Sequence, residues 1–328
     1  IKKYQWTTIP LALHGAVVLG DGSKVEVKIG EDEGDPVFYI SDLLPHLSQK
    51  QNTKTLAEAF SGEDLNIWLG NIPYTAAKED GDKTVKENLL HILNEKYGIK
   101  EEDFLSAELS LVPAFKARDI GFDRALIGAY GHDDRVCSYP AFSALFDTET
   151  DGKTVMVVLA DKEEIGSEGT TGMQCAIFTD LIDAIAYSFD TTSAVIRANS
   201  KCLSADVNAA YDPNFKDVNE PMNSTYVSCG AGLTKFTGAR GKSGSNDASA
   251  EFMAEVRKMF NDEGVIWQTG ELGKVDQGGG GTVAKYIAKM NIDTVDIGVA
   301  VVSMHAPYEV ISKADVYEMY LACKAFMK

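Results

Sequence analysis

Cysteine is sparse and badly placed for metal or disulfide work. The five cysteines lie at Cys137, Cys175, Cys202, Cys229 and Cys323, and no two form a Cys-x-x-Cys pair. This spacing excludes a zinc knuckle and gives no disulfide framework. Isolated thiols fit a reducing compartment, so the expected location is the cytoplasm. No apolar run reaches the ~18–20 residues of a membrane-spanning helix, and no signal peptide opens the chain. Basic residues are the minority, 31 against 49 acidic ones, for a net charge of −18. A field of that sign excludes non-specific binding to nucleic acid and by itself implies little more than solubility. The five histidines contain no His-x-x-x-His or His-Glu-x-x-His pair, which excludes a zincin-type helical site. Internal repeats and low-complexity tracts are also missing; the four glycines 278–281 are one local loop.

What remains is ample for a buried core. The chain is 45% hydrophobic and 24% charged over 328 residues, the length of one large or two moderate domains. Residues from about 10 to 120 read as a small β-rich accessory domain. An apolar run at 11–19 and an Asp21-Gly22 turn precede an alternating strand at 24–29, and a loop-rich stretch at 61–82 leads to a helix over 82–97. From about 120, strand and helix alternate, which implies a layered α/β architecture. Strands are expected at 124–129, 154–160, 193–199, 225–229 and 296–303. Helices are expected at 136–146, 179–188, 248–262 and 314–327.

Four short segments put a carboxylate or histidine at the expected end of a strand, where ligands bind in open α/β sheets. They are Gly131-His132-Asp133-Asp134-Arg135, Asp161 to Ser167 with its Glu163-Glu164 pair, Ser204-Ala205-Asp206, and Ser303-Met304-His305-Ala306-Pro307. Adjacent glutamates divide labour well: one can hold a metal while the other reaches an attacking water as general base. A carboxylate such as Asp133 can bridge two cations, with the following Asp134 and Arg135 orienting it. Each segment alone has a plainer explanation, a helix cap with a salt bridge for Asp-Asp-Arg or a core histidine for His305. Together, Asp133, Glu164, Asp206 and His305 form an oxygen-rich set with one imidazole, suited to zinc, cobalt or manganese in an open two-metal hydrolase site. His132 is expected at the rim or behind the ligands.

In order and wording these segments, with residues 6–18, 276–282 and 304–309, resemble the M18 metallo-aminopeptidases, the aspartyl aminopeptidases, in their bacterial branch. More distantly they are similar to the M42 glutamyl aminopeptidases. The resemblance covers essentially the whole chain. It implies the zinc-peptidase (phosphorylase/hydrolase-like) three-layer α/β sandwich with an inserted small β-rich dimerisation domain. Residues 1–10 are then a catalytic-domain segment, 11–118 the accessory and oligomerisation domain, and 119–328 the catalytic domain. It implies an aminopeptidase acting on peptides, with two divalent ions, zinc foremost. Asp133 is implied as the bridge, Glu163 as the general base, Glu164 and Asp206 as terminal ligands, and His305 as the histidine of the second metal. The family's first histidine ligand precedes the Trp6-Thr7-Thr8-Ile9-Pro10 segment. No such motif stands in this sequence, which opens at Ile1, and the expectation is that the chain starts after it. The implied particle is a homo-oligomer, a dodecamer built from dimers, with His46 reaching a neighbouring subunit's site. Lys235 falls where a pocket lysine would meet an acidic substrate side chain, although the residues after it depart from the family pattern. Gly280 and Thr282 belong to a loop whose backbone approaches substrate. Two other readings stay open: a related metal-dependent deacylase or carboxypeptidase, and a non-catalytic oligomeric scaffold of the same fold.

Overall fold

The computed structural model describes residues 1–74 and 84–328; residues 75–83, which hold the end of the expected 61–82 loop and the start of the expected 82–97 helix, lie outside the described residues. The chain divides into two compact units, Ile1–Lys116 with Ala306–Tyr308, and Ala117–His305 with Glu309–Lys328.

In the first unit, strands β1 (Leu11–Val18), β2 (Lys24–Ile29) and β5 (Ala107–Pro113) form an antiparallel sheet in the order β2-β1-β5. Alternation puts Val17, Val27 and Ile29 on one face, where they pack with Ile99. Strands β3 (Tyr39–Ile40) and β4 (Ile67–Trp68) make a separate pair, and helices α1 (Leu56–Ala59) and α2 (Thr84–Tyr97) complete the unit.

The second unit contains two sheets. One runs β11-β10-β12-β8, formed by β11 (Trp267–Thr269), β10 (Ala231–Thr234), β12 (Asp293–Gly298) and β8 (Lys201–Ala205). The other runs β6-β7-β14-β13-β9, formed by β6 (Arg118–Ile120), β7 (Leu126–Ala129), β14 (Glu309–Ser312), β13 (Ala300–Val302) and β9 (Asn208–Ala209). The helices are α3 (His132–Asp147), α4 (Ile177–Ser188), α5 (Ser193–Ala198), α6 (Ala250–Glu263), α7 (Ala284–Ala288) and α8 (Lys313–Met327). Helix α6 shows how the sequence dictates its element. The Ser249 hydroxyl accepts the Phe252 amide at 3.1 Å, Phe252, Val256 and Phe260 recur on one buried face, and Gly264 ends the helix in the left-handed region. That face packs with Leu233 of β10, Val295 and Ile297 of β12, and Met319 and Cys323 of α8 in the main core.

The two sheets are joined by one long strand pair. Chain 201–210 runs beside 293–302: Asp206 N donates to Ile297 O at 3.0 Å, Asn208 N to Val299 O at 2.8 Å and Ala210 N to Val301 O at 2.9 Å. The pair creases at Gly298, where a Cβ would lie 1.5 Å from the Asp206 carbonyl oxygen. Only glycine permits so close a backbone approach.

The structure corrects several expected strands. Residues 193–199 form helix α5, started by the Thr192 hydroxyl accepting from Val195 N; the β-branched Val195-Ile196 pair masks it, and the strand follows at β8. Residues 225–229 form no strand beyond a single Ala210–Thr225 bridge. There the Asp315 carboxylate accepts the amides of Ser228 and Gly230, both at 2.7 Å, and Ser228 turns to φ +64°, so the strand begins only at β10. The expected 296–303 strand is split between β12 and β13 by the crease. Residues 154–160 carry no named strand: Val155 and Val157 pack on the main core, Met156 and Val158 on the alternate positions are exposed, and Leu159 is exposed as well.

Candidate metal centre

The donors of all four segments lie in the second unit. Asp133 opens α3 just after β7, the 163–165 turn carries the glutamate pair, Asp206 leaves β8 at the crease, and His305 follows β13. Three of the positions that shape these loops are non-glycine residues at positive φ, Lys162 (+64°), Ser303 (+60°) and His305 itself (+64°). Such left-handed conformations are uncommon outside glycine and persist where the surrounding structure fixes them.

The donors converge in two overlapping groups. Asp133, Glu164 and His305 offer ligand atoms within 4.8 Å of one another, and so do Asp133, Asp134 and Asp206. Asp133 is common to both. His305 Nε2 lies 2.9 Å from Asp133 Oδ2 and 3.4 Å from Glu164 Oε1. Glu163 is half-buried beside them, while Glu164 is exposed.

Electrostatics register the crowding. Burial and then the Asp133 charge push the Glu164 carboxyl up to about 7. Burial, then Asp133 and Glu163, push Asp206 up to about 8. Asp134 rises to about 9 through burial, then Asp206 and Asp133. Glu163 is raised by burial and by Asp133, with His305 and Lys285 pulling the other way. His305 is raised chiefly by its hydrogen bond to Asp133, and His132 is lowered by burial while its Nε2 lies 3.1 Å from Ile127 O. Burial and the neighbouring charges both disfavour ionisation of these carboxylates, an effect that a bound cation would reverse.

Sequence reasoning gave Asp134 only an orienting part and Glu309 none. Asp134 belongs to the second donor group in its own right, and its Oδ1 is buried without a hydrogen-bond partner. Glu309, only 2% exposed, accepts the Asp133 amide at 3.0 Å through Oε2 and the His305 amide at 2.7 Å through Oε1. One carboxylate thus ties together the backbones of two donors 172 residues apart in sequence. The available signal was its position four residues after His305 in the same segment. Glu309→Ala should weaken divalent-metal binding by about 10–100-fold, the usual effect of removing a group that orients ligands. Calorimetric titration with Zn²⁺ checks this, and unchanged affinity would deny Glu309 that role.

The other expected site residues belong to neither donor group. Lys235 has its ammonium engaged by Asp247, which also receives Lys242 at 2.6 Å. His46 is exposed on the Pro45–Leu47 turn of the first unit. Thr282 Oγ1 donates to Asp296 Oδ1 at 2.6 Å. Gly280 has room for a side chain, with only Leu272 Cδ2 within 4 Å of a would-be Cβ, whereas a Cβ on Gly279 (φ +111°) would lie 2.0 Å from Gly238 O. A Cβ on Gly278 would likewise lie 2.0 Å from Leu272 O, so the backbone demand for glycine in this loop falls at 278 and 279.

The donor chemistry fits hard or borderline divalent cations: carboxylates, one imidazole, no thiolate, and a buried carboxylate oxygen lacking a partner. The profile of the family described as Aminopeptidase I zinc metalloprotease (M18) matches residues 1–327. The chain belongs to the M18 peptidase family. This makes it a metal-dependent aminopeptidase, a hydrolase of peptides. "Probable M18 family aminopeptidase 1" of Clostridium acetobutylicum is 50% identical over 331 residues, covering 100% of this chain and 71% of that protein. Its namesake from Thermotoga maritima is 46% identical, covering 100% of this chain and 72% of that protein. The crystal structure of the Thermotoga maritima M18 aminopeptidase superposes with a TM-score of 0.96 at 46% identity, covering 100% of this chain and 73% of that one. That of aminopeptidase I from Clostridium acetobutylicum gives 0.94 at 49%, covering 100% and 71%. The M18 sandwich expected from the sequence is the fold found, and the scaffold and deacylase readings are not favoured by these relatives.

Proposed function

We propose that this M18 chain removes N-terminal residues from peptides at the Asp133 cluster, with two divalent ions, zinc foremost, shared across that carboxylate. The membership of Asp133 in both donor groups carries this reading. Glu164 and His305 would hold one ion and Asp206, with Asp134 beside it, the other. Such ions, when bound, polarise the scissile carbonyl and make water a nucleophile at neutral pH. Glu163 takes the proton of the attacking water and returns it to the departing amine; its raised affinity for protons suits both halves of that task. The surplus of carboxylates favours a substrate with a free, positively charged α-amine, which restricts cleavage to chain ends. Lys235 and the 278–282 loop, with Gly280 and Thr282, would line the substrate's approach; an acidic first residue would draw Lys235 from Asp247.

Residues 11–118 would serve assembly into a homo-oligomer, a dodecamer built from dimers, with His46 near a neighbouring copy's site. The exposed Leu43, Leu44, Leu47, Trp68, Leu69 and Ile72 of the first unit support an interface there. Free cysteines, and no described helix long and apolar enough to cross a membrane, are consistent with a cytoplasmic setting.

One preparation tests these points together: metal analysis, sedimentation, and hydrolysis of Asp-, Glu- and Leu-linked chromogenic substrates beside an N-acetylated peptide. About two ions per protein, a large particle and cleavage only at free N-termini are the expected results. Cleavage of the acetylated peptide would overturn the exopeptidase reading, and a monomer would overturn the assembly.

A further inference from the structure

We propose that Asp296 and Thr282 are positioning residues that latch the glycine loop to the crease beside the metal centre and thereby set substrate affinity. Asp296 is 4% exposed in the interior of β12, a costly place for a carboxylate that makes no ion pair among the described residues. Its Oδ1 accepts the Thr282 hydroxyl at 2.6 Å. The strand register sets Asp296 opposite Ser204, two residues before Asp206, and opposite Thr234 on the other side, whose hydroxyl donates to Asn208 Oδ1 at 2.9 Å. The latch is therefore built into the strands that deliver Asp206. At its other end the loop is wedged by backbone contact, with Gly279 against Gly238.

The loop leads directly into α7, whose side chains face the glutamate turn. Tyr286 Oη donates to Gly166 O at 3.4 Å, and the Lys285 charge reaches Glu163. A segment fixed at 279 and 282 keeps 280 and 281 between the two points, where a Cβ on Gly281 would lie 3.2 Å from the Nζ of Lys285, the lysine whose charge reaches Glu163. Backbone N–H and C=O groups held in place can pair with an extended peptide without ordering at the moment of binding. Loss of the latch would return that ordering cost to each binding event.

The substrate role rests on the aminopeptidase reading above; the latch itself does not. Thr282→Val removes the hydroxyl at nearly constant volume. Its effect should fall mainly on KM, a rise of about tenfold with kcat changed less, as when binding shared by ground and transition states is lost. Thr282→Ser should restore KM, and Zn²⁺ content should match the parent in both. Hydrogen exchange supplies a readout independent of activity: amides 278–282 should exchange at least about tenfold faster in Thr282→Val while β12 amides keep their rates. Unchanged exchange in the loop would overturn the latch whether or not the parent cleaves peptides. Faster exchange with an unaltered KM would overturn its role in binding, and lost metal with unaltered KM would make it a prop for Asp206 instead. A parent with no turnover on any free N-terminus would sink the aminopeptidase reading while the exchange result still decides the latch.

Discussion

Replacing Glu163 with Gln is expected to lower kcat by about 10²–10⁴-fold, the range general acid–base groups contribute, with metal content and KM little changed. The amide keeps the size and hydrogen-bonding reach of the carboxylate but cannot take up a proton. The structure makes the test sharp because the two adjacent glutamates differ. Glu164 Oε1 lies 3.4 Å from the His305 imidazole within a donor group, whereas Glu163 stands outside both groups, its carboxyl raised by burial and by Asp133. If Glu163→Gln instead lost its metal and Glu164→Gln kept it, the roles of the pair would be exchanged. If Glu163→Gln turned over at the parental rate, no proton transfer could be assigned to it.

Asp133→Asn should be the most damaging change at the centre. It touches both donor groups, so affinity for both ions should fall by more than about 100-fold, beyond the cost of losing an orienting group. A variant retaining one tightly held ion and full affinity for the second would rule out the shared-carboxylate arrangement. The same substitution has an opposite effect on the metal-free protein. In the folded state Glu164, Asp206 and Asp134 hold protons up to about 7, 8 and 9, whereas in the unfolded chain they ionise near 4. The folded state therefore binds more protons in that window. The associated stability is complete below about pH 4 and is lost as pH rises through the folded values. Calorimetry on metal-free samples should show Tm falling between about pH 5 and 9 in the parent. It should fall less in Asp133→Asn, which removes one source of the repulsion and leaves burial in place. Equal pH slopes would mean that burial alone raises these groups.

The candidate site residues were legible because strand ends are written locally: an apolar run stops and a carboxylate or histidine follows. Asp133 after β7 and His305 after β13 were placed on that basis. Asp206 was placed at a strand end for a partly mistaken reason, since the run at 193–199 is helix α5 and the strand is the less apolar β8. Thr192 decided the outcome through a cap that hydropathy does not report. Long-range partners were illegible. Nothing in the sequence at Glu309 announces two backbone amides, one of them 176 residues away, and nothing at Asp296 announces Thr282. Buried acids satisfied by distant groups appear in a sequence only as polar residues in apolar strands. Helix α6 was read well because a one-sided apolar period and a cap are local properties.

The crease at Gly298 separates what this protein can change from what it cannot. Any side chain there would enter the space of the Asp206 carbonyl, so a single added methyl group would displace Asp206 through its backbone. Lys235 and Asp247, by contrast, take part in exposed ion pairs that cost little to rearrange. Surface charges of that kind can be exchanged at little cost, whereas at the fold line nothing larger than a hydrogen fits.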